Sequence, residues 1–196
     1  MNTRARACAL TLFVLALSAV TGCACHTKAE KEACCDHAAC PMVDASLRQA
    51  VAVLQPTQGN HASGTVLFTQ DGDKVTVEAN VSGLTPNSQH AFHVHEFGDA
   101  RSTDATSAGS HYNPEGHPHG LPGSESRHAG DFGNLTADAG GYAHLSLTVD
   151  NLTIAGMHNP VLGRSVIIHA AADDGSQPVG NAGARIAIGV IGVAKP

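Results

Sequence analysis

From residue 47 onward, short runs in which apolar and polar residues alternate follow one another at even spacing, each closed by Gly, Pro or Asn. Alternation with a period of two buries one face of a strand and cannot form the apolar stripe of a helix. Residues 50–54 run into Pro56 and then Gly59-Asn60, and 64–70 are followed by Asp71-Gly72-Asp73, a hairpin signal. Residues 74–81 place Val75, Val77, Ala79 and Val81 on one face. Gly83, Pro86 and Asn87 interrupt the chain before 89–97, and Gly140-Gly141 precedes the alternating run 143–149. The runs 165–169 and 185–193 complete a count of about eight strands. This spacing predicts an all-β fold, an antiparallel sandwich or barrel. The composition agrees, with 21 Gly and no Trp in 196 residues. Two segments break the rhythm, roughly 98–131 and 170–184; loops of that length are uncommon unless functional.

The first residues read differently. Arg4 and Arg6 precede an apolar run over 7–20, too short to span a bilayer and placed like a signal peptide. It ends in Val20-Thr21-Gly22-Cys23, which resembles a bacterial lipobox, so 1–22 is expected to be a leader and Cys23 the lipidated N-terminus. Ala24 after that Cys implies the outer membrane and a location in the periplasm or cell envelope. Residues 23–46 form a Cys/His-rich tether, and 47–196 the folded domain. In the tether Cys25, Cys34, Cys35 and Cys40, with His26, His37 and Met42, offer soft ligands for an accessory Cu(I) or Zn(II). The same thiols would form disulfides in an oxidising compartment.

Charge and composition narrow the chemistry. Lys and Arg number 11 against 17 Asp and Glu, a net charge of −6. A nucleic-acid partner needs a basic face that this chain lacks. Thirteen His in so small a chain favour a transition-metal site. His93-Val94-His95 points two imidazoles to the same face of a strand. His111, His119, His128 with Asp131, and His169 follow, too many donors for one tetrahedral ion; two ions sharing a ligand account for the number. His117 competes with His119 on composition alone. None of these donors is a thiolate, which suits Zn(II) and Cu(II).

Four segments carry a resemblance. These are the run from His90 through His93-Val94-His95 to Asp99, Ser107-Ala108-Gly109-Ser110-His111-Tyr112-Asn113-Pro114, Arg127-His128-Ala129-Gly130-Asp131-Phe132, and Gly180-Asn181-Ala182-Gly183-Ala184-Arg185 with the strand after it. In this order and spacing they resemble copper/zinc superoxide dismutases, over about 47–196. The resemblance implies an eight-stranded antiparallel Greek-key barrel with two long metal-site loops. It implies one copper and one zinc per subunit, with copper on His93, His95, His111 and His169. Zinc falls to His111, His119, His128 and Asp131, the family spacing selecting His119 over His117. His111 would bridge the ions, Asp173 would link a copper His to a zinc His, and Arg185 would attract the anionic substrate superoxide. A membrane partner would enter through the lipid anchor, and a second copy, as a homodimer, is left open. The rival reading is a copper-binding or copper-buffering lipoprotein on the same barrel.

Three departures stand out. The family's disulfide positions correspond to Ala105 and Ile188, and no Cys follows residue 40; zinc is expected to compensate. The segment 170–184 carries Asp173 and Asp174 but no Lys or Glu, leaving Arg185 as the cation beside it. The tether has no counterpart in the shared domain.

Overall fold

The structure, a computed structural model, describes residues 47–195. The leader 1–22, Cys23, Cys25, Cys34, Cys35 and Cys40 lie outside the described residues. Eight strands form in chain order: β1 Gln49–Pro56, β2 Ser63–Asp71, β3 Lys74–Ser82, β4 Gln89–His95, β5 Asp131–Thr136, β6 Ala143–Val149, β7 Ser165–His169 and β8 Arg185–Val193. The alternation read from the sequence is realised directly. Ala50, Ala52 and Leu54 of β1 and Val75, Val77, Ala79 and Val81 of β3 are buried, while their neighbours face outward. Asp71 pairs with Lys74, so Gly72 and Asp73 make a two-residue hairpin loop with Gly72 at positive φ (58°).

The sheet order is β5-β4-β7-β8-β1-β2-β3-β6, with every neighbouring pair antiparallel. β5 and β6, the two ends of that order, approach each other, so the Greek-key barrel is nearly closed. Inside it Phe68, Phe92 and Phe132 meet at ring-centroid distances of 6.4 Å (Phe68–Phe132) and 5.2 Å (Phe92–Phe132), among Leu54, Leu135, Ile168 and Ile191.

Three features differ from the sequence reading. β4 ends at His95 rather than at 97, because Glu96 N–H and Phe97 N–H donate to the carbonyls of Ser110 and Ala108 in the following loop, both at 2.9 Å. β5 was not among the runs read as strands. Its residues 131–133 and 135 are all buried, so it shows no alternation, and Gly133 sits at φ 79°. The connection 150–164 is a third long segment; its Leu152, Ile154 and Val161 join the barrel core without strand periodicity.

Candidate metal centre

β4 is buried along both faces, and this sets up the site. Phe92 and Val94 point into the barrel, which leaves His93 and His95 on the outside, beneath the loops 96–130 and 170–184. β7 does the same: Val166 and Ile168 point inward, and His169 ends the strand on the outer face. His111 is brought in by the backbone. Tyr112 N–H donates to Val94 C=O at 2.8 Å, and an isolated antiparallel bridge joins His95 to His111. Asp131 opens β5, opposite His93 in the register.

Two sets of donors result. His93, His95, His111 and His169 form one, and His111, His119, His128 and Asp131 the other, with the donor atoms of each set within 4.8 Å of one another. All seven side chains are buried. His111 is common to both. Its Nδ1 lies 2.9 Å from Asp131 Oδ1, which leaves Nε2 for the four-histidine set. His117 belongs to neither set; its side chain is exposed.

Partners that can only accept protons dictate the tautomers. His95 Nδ1 donates to Gly109 C=O (3.0 Å) and His169 Nδ1 to Gly183 C=O (3.2 Å), so both Nε2 atoms carry lone pairs, 3.4 Å apart. His93 Nε2 donates to Asp173 Oδ2 (2.8 Å) and His119 Nε2 to Asp173 Oδ1 (2.9 Å). Asp173 therefore ties one ring of each set to a single carboxylate. Nδ1 of His93 and Nδ1 of His119 are buried without a hydrogen-bond partner. His119 Nδ1 is 2.9 Å from Asp131 Oδ2, yet the angle is not that of a hydrogen bond. A buried polar atom left unpaired costs about 1–3 kcal/mol. One such atom in each set, and facing lone pairs on His95 and His169, is the donor chemistry of two cation sites.

The electrostatics agree. Burial, reinforced by the neighbouring imidazoles, lowers His111 to about 4 and His169 to about 3, and holds His95 well below its ordinary value. These rings are neutral at pH 7, the form that ligates metal. Burial by itself would raise Asp173, but its bonds from His93 and His119 prevail and hold it at about 2. Asp131 is likewise held below the usual carboxylate range: burial opposes, and bonds from His111, His128 and the Gly120 N–H outweigh it. It is anionic and fully buried.

Arg185, the first residue of β8, is fixed by two carbonyls: Nη1 donates to Ala105 C=O (2.5 Å) and Nη2 to Gly109 C=O (2.6 Å). Burial lowers its pKa without discharging it. With His95, His111 and His169 it lines an open pocket of about 410 Å³, closed on one side by Val179 to Gly183 of the loop 170–184. Beneath Arg185's anchor, Ala105 and Ile188 pack together with Ala108 and Ile167 in a small buried cluster. Apolar contact thus occupies the place where the sequence comparison put a missing disulfide.

The sequence reading overlooked two side chains that serve this region. Asn134 of β5 clamps the backbone of Asp173 from both sides, accepting from its N–H (2.7 Å) and donating to its C=O (2.9 Å). His90, which opens the first of the four resemblance segments, is buried and bonds through Nδ1 to the carbonyl of His169 at 2.8 Å. Neither stands out by residue type or spacing, because each acts on a backbone that only the fold brings near. The family model described as copper/zinc superoxide dismutase (SODC) matches residues 62–191, well over half of the chain.

Proposed function

The chain belongs to the copper/zinc superoxide dismutase family, and from that premise we propose that it dismutes superoxide, 2 O2•− + 2 H+ → O2 + H2O2, outside the cytoplasm. His93, His95, His111 and His169 would hold copper, and His111, His119, His128 and Asp131 zinc. When bound, copper supplies the one-electron couple and zinc a redox-inert positive charge.

The chain's own residues do the rest. Arg185 spends two N–H groups on carbonyls and keeps the other guanidinium donors for a small anion in the pocket. Its charge is permanent, so attraction does not depend on pH near neutrality. Asp173 orients His93 and His119 together. His111 Nδ1 faces Asp131 and the zinc set, so its Nε2, on the side of the four-histidine set, is the atom that would hold a proton between the half-reactions and give it to the product peroxide. The leader 1–22, a lipid on Cys23 and residence in the periplasm or cell envelope complete the reading, supported by the sequence.

The observation that carries the enzyme over a copper-buffering lipoprotein is the fixed cation in the pocket. Storage of copper needs no anion-attracting guanidinium beside the ring shared by both donor sets. The test is superoxide dismutation by the purified chain loaded with one copper and one zinc, beside Arg185→Ala. Turnover should fall at least tenfold in the variant, the lower range of electrostatic steering. Full copper occupancy without turnover in the parent would establish the copper-binding alternative instead.

A further inference from the structure

We infer that Gln177 is a positioning residue for the zinc centre, acting through the backbone of His119. The inference rests on the assignment of His119 to zinc above.

One side-chain amide meets both backbone polar groups of His119. Gln177 Oε1 accepts from His119 N–H at 3.0 Å, and Gln177 Nε2 donates to His119 C=O at 2.8 Å. Opposed contacts from a single planar group restrain both displacement and rotation of the peptide, as a neighbouring strand would. His119 has no strand of its own; it sits within the loop 96–130, outside the loop's 3₁₀ turn Thr106–Ala108. Its position is therefore imposed from across the site.

The ring and the backbone of His119 are held by the same loop, 170–184. Asp173 fixes the ring through Nε2, and Gln177 fixes the main chain. Together they aim the buried, unpartnered Nδ1 at the carboxylate of Asp131. The loop is braced independently of that contact. Gly180 N–H donates to Ser176 C=O (2.7 Å), Asp174 N–H donates to Gly180 C=O (3.1 Å), and the Asp174 carboxylate accepts from Ser176 N–H and the Asn181 amide. Gly180 is required there: a Cβ would lie 2.0 Å from Asp173 Oδ1 and 2.8 Å from His119 Nε2. Gln177 itself is exposed, with the two amide bonds partly buried, so each bond contributes at the low end of the usual range.

The experiment is zinc affinity by chelator competition on the full chain with Cys25, Cys34, Cys35 and Cys40 replaced by Ser, so that the tether's thiols do not compete with the barrel. Gln177→Leu keeps the bulk and removes both bonds. It should weaken zinc about fivefold, which is two such bonds converted to an equilibrium constant, and leave copper affinity within about twofold. Asp174→Ala disturbs the loop's own bracing without touching His119 and should weaken zinc less. Unchanged zinc affinity in Gln177→Leu overturns the inference, as does an equal loss in Asp174→Ala or an equal loss for copper, since either would mean general loop order. A parent chain that takes up no zinc overturns the zinc assignment itself, and the role of Gln177 with it.

Discussion

Burial makes the charge state of individual histidines a stability question. His111 and His169 fall to about 4 and about 3 in the folded protein, from an ordinary value of 6.5. Between those values and 6.5 the unfolded chain binds more protons than the folded one, so stability contributed by the neutral rings is lost as pH falls through that window. Asp173, depressed to about 2, contributes stability above the ordinary carboxylate range that fades at still lower pH, with the same sign. Thermal unfolding of the metal-free chain should therefore show a midpoint that drops steadily from pH 7 to pH 4. The midpoint of the fully loaded protein should fall at least as steeply over that range, since metal and proton compete for the same nitrogens and unfolding hands those nitrogens to protons. A metal-free midpoint that rises on acidification would contradict this account. The candidate donors that the structure gathers into two sets were legible in the sequence because His and Asp are residue types that metals require, although residue type alone also admitted His117. Asn134, His90 and Gln177 were not, because an amide or imidazole aimed at a distant main chain has no local pattern.

Among the elements, β4 and β5 show how the core and the site share strands. His93 and Asp131, paired in register, serve the donor sets, while the residues next to them, Phe92 and Phe132, pack 5.2 Å apart in the core. Truncating Phe132 to Ala should cost about 3–5 kcal/mol of unfolding free energy, as measured by denaturant titration. It should also weaken zinc binding, since the cavity lies one residue from Asp131. A loss below about 1 kcal/mol would mean the barrel collapses around the gap more easily than close packing allows. β1, β2, β3, β6, β7 and β8 were legible because each shows alternation bounded by turn residues, or a short β-branched run. β5 was hidden by burial on both faces, and the end of β4 by pairing with a loop. The segment 150–164 was overlooked because residues that plug a barrel follow neither helical nor strand periodicity.

At the scale of the whole molecule, the described residues contain no cysteine, so no covalent tie joins the loop 96–130 to β8. Two features stand in its place: the buried contact of Ala105 and Ile188, and the donor sets that draw 96–130, β4, β5 and β7 together. Removing zinc should lower the melting temperature by well over 10 °C, since structural metal binding is folding free energy. Reductant should leave the barrel's melting unchanged. A midpoint indifferent to zinc would assign the whole compensation to the apolar cluster. The sequence by itself determined the all-β class, most of the strands and the two long loops, which follow from side-chain period and turn chemistry and are local. Residue type alone offered the candidate donors but left His117 beside His119, and only the resemblance chose between them. Only the tertiary structure decided which nitrogen of each imidazole stays free, that Ala105 meets Ile188, that Arg185 hangs on two loop carbonyls, and that Gln177 reaches His119. Those depend on contacts between segments tens of residues apart, and the closure of the barrel sets them.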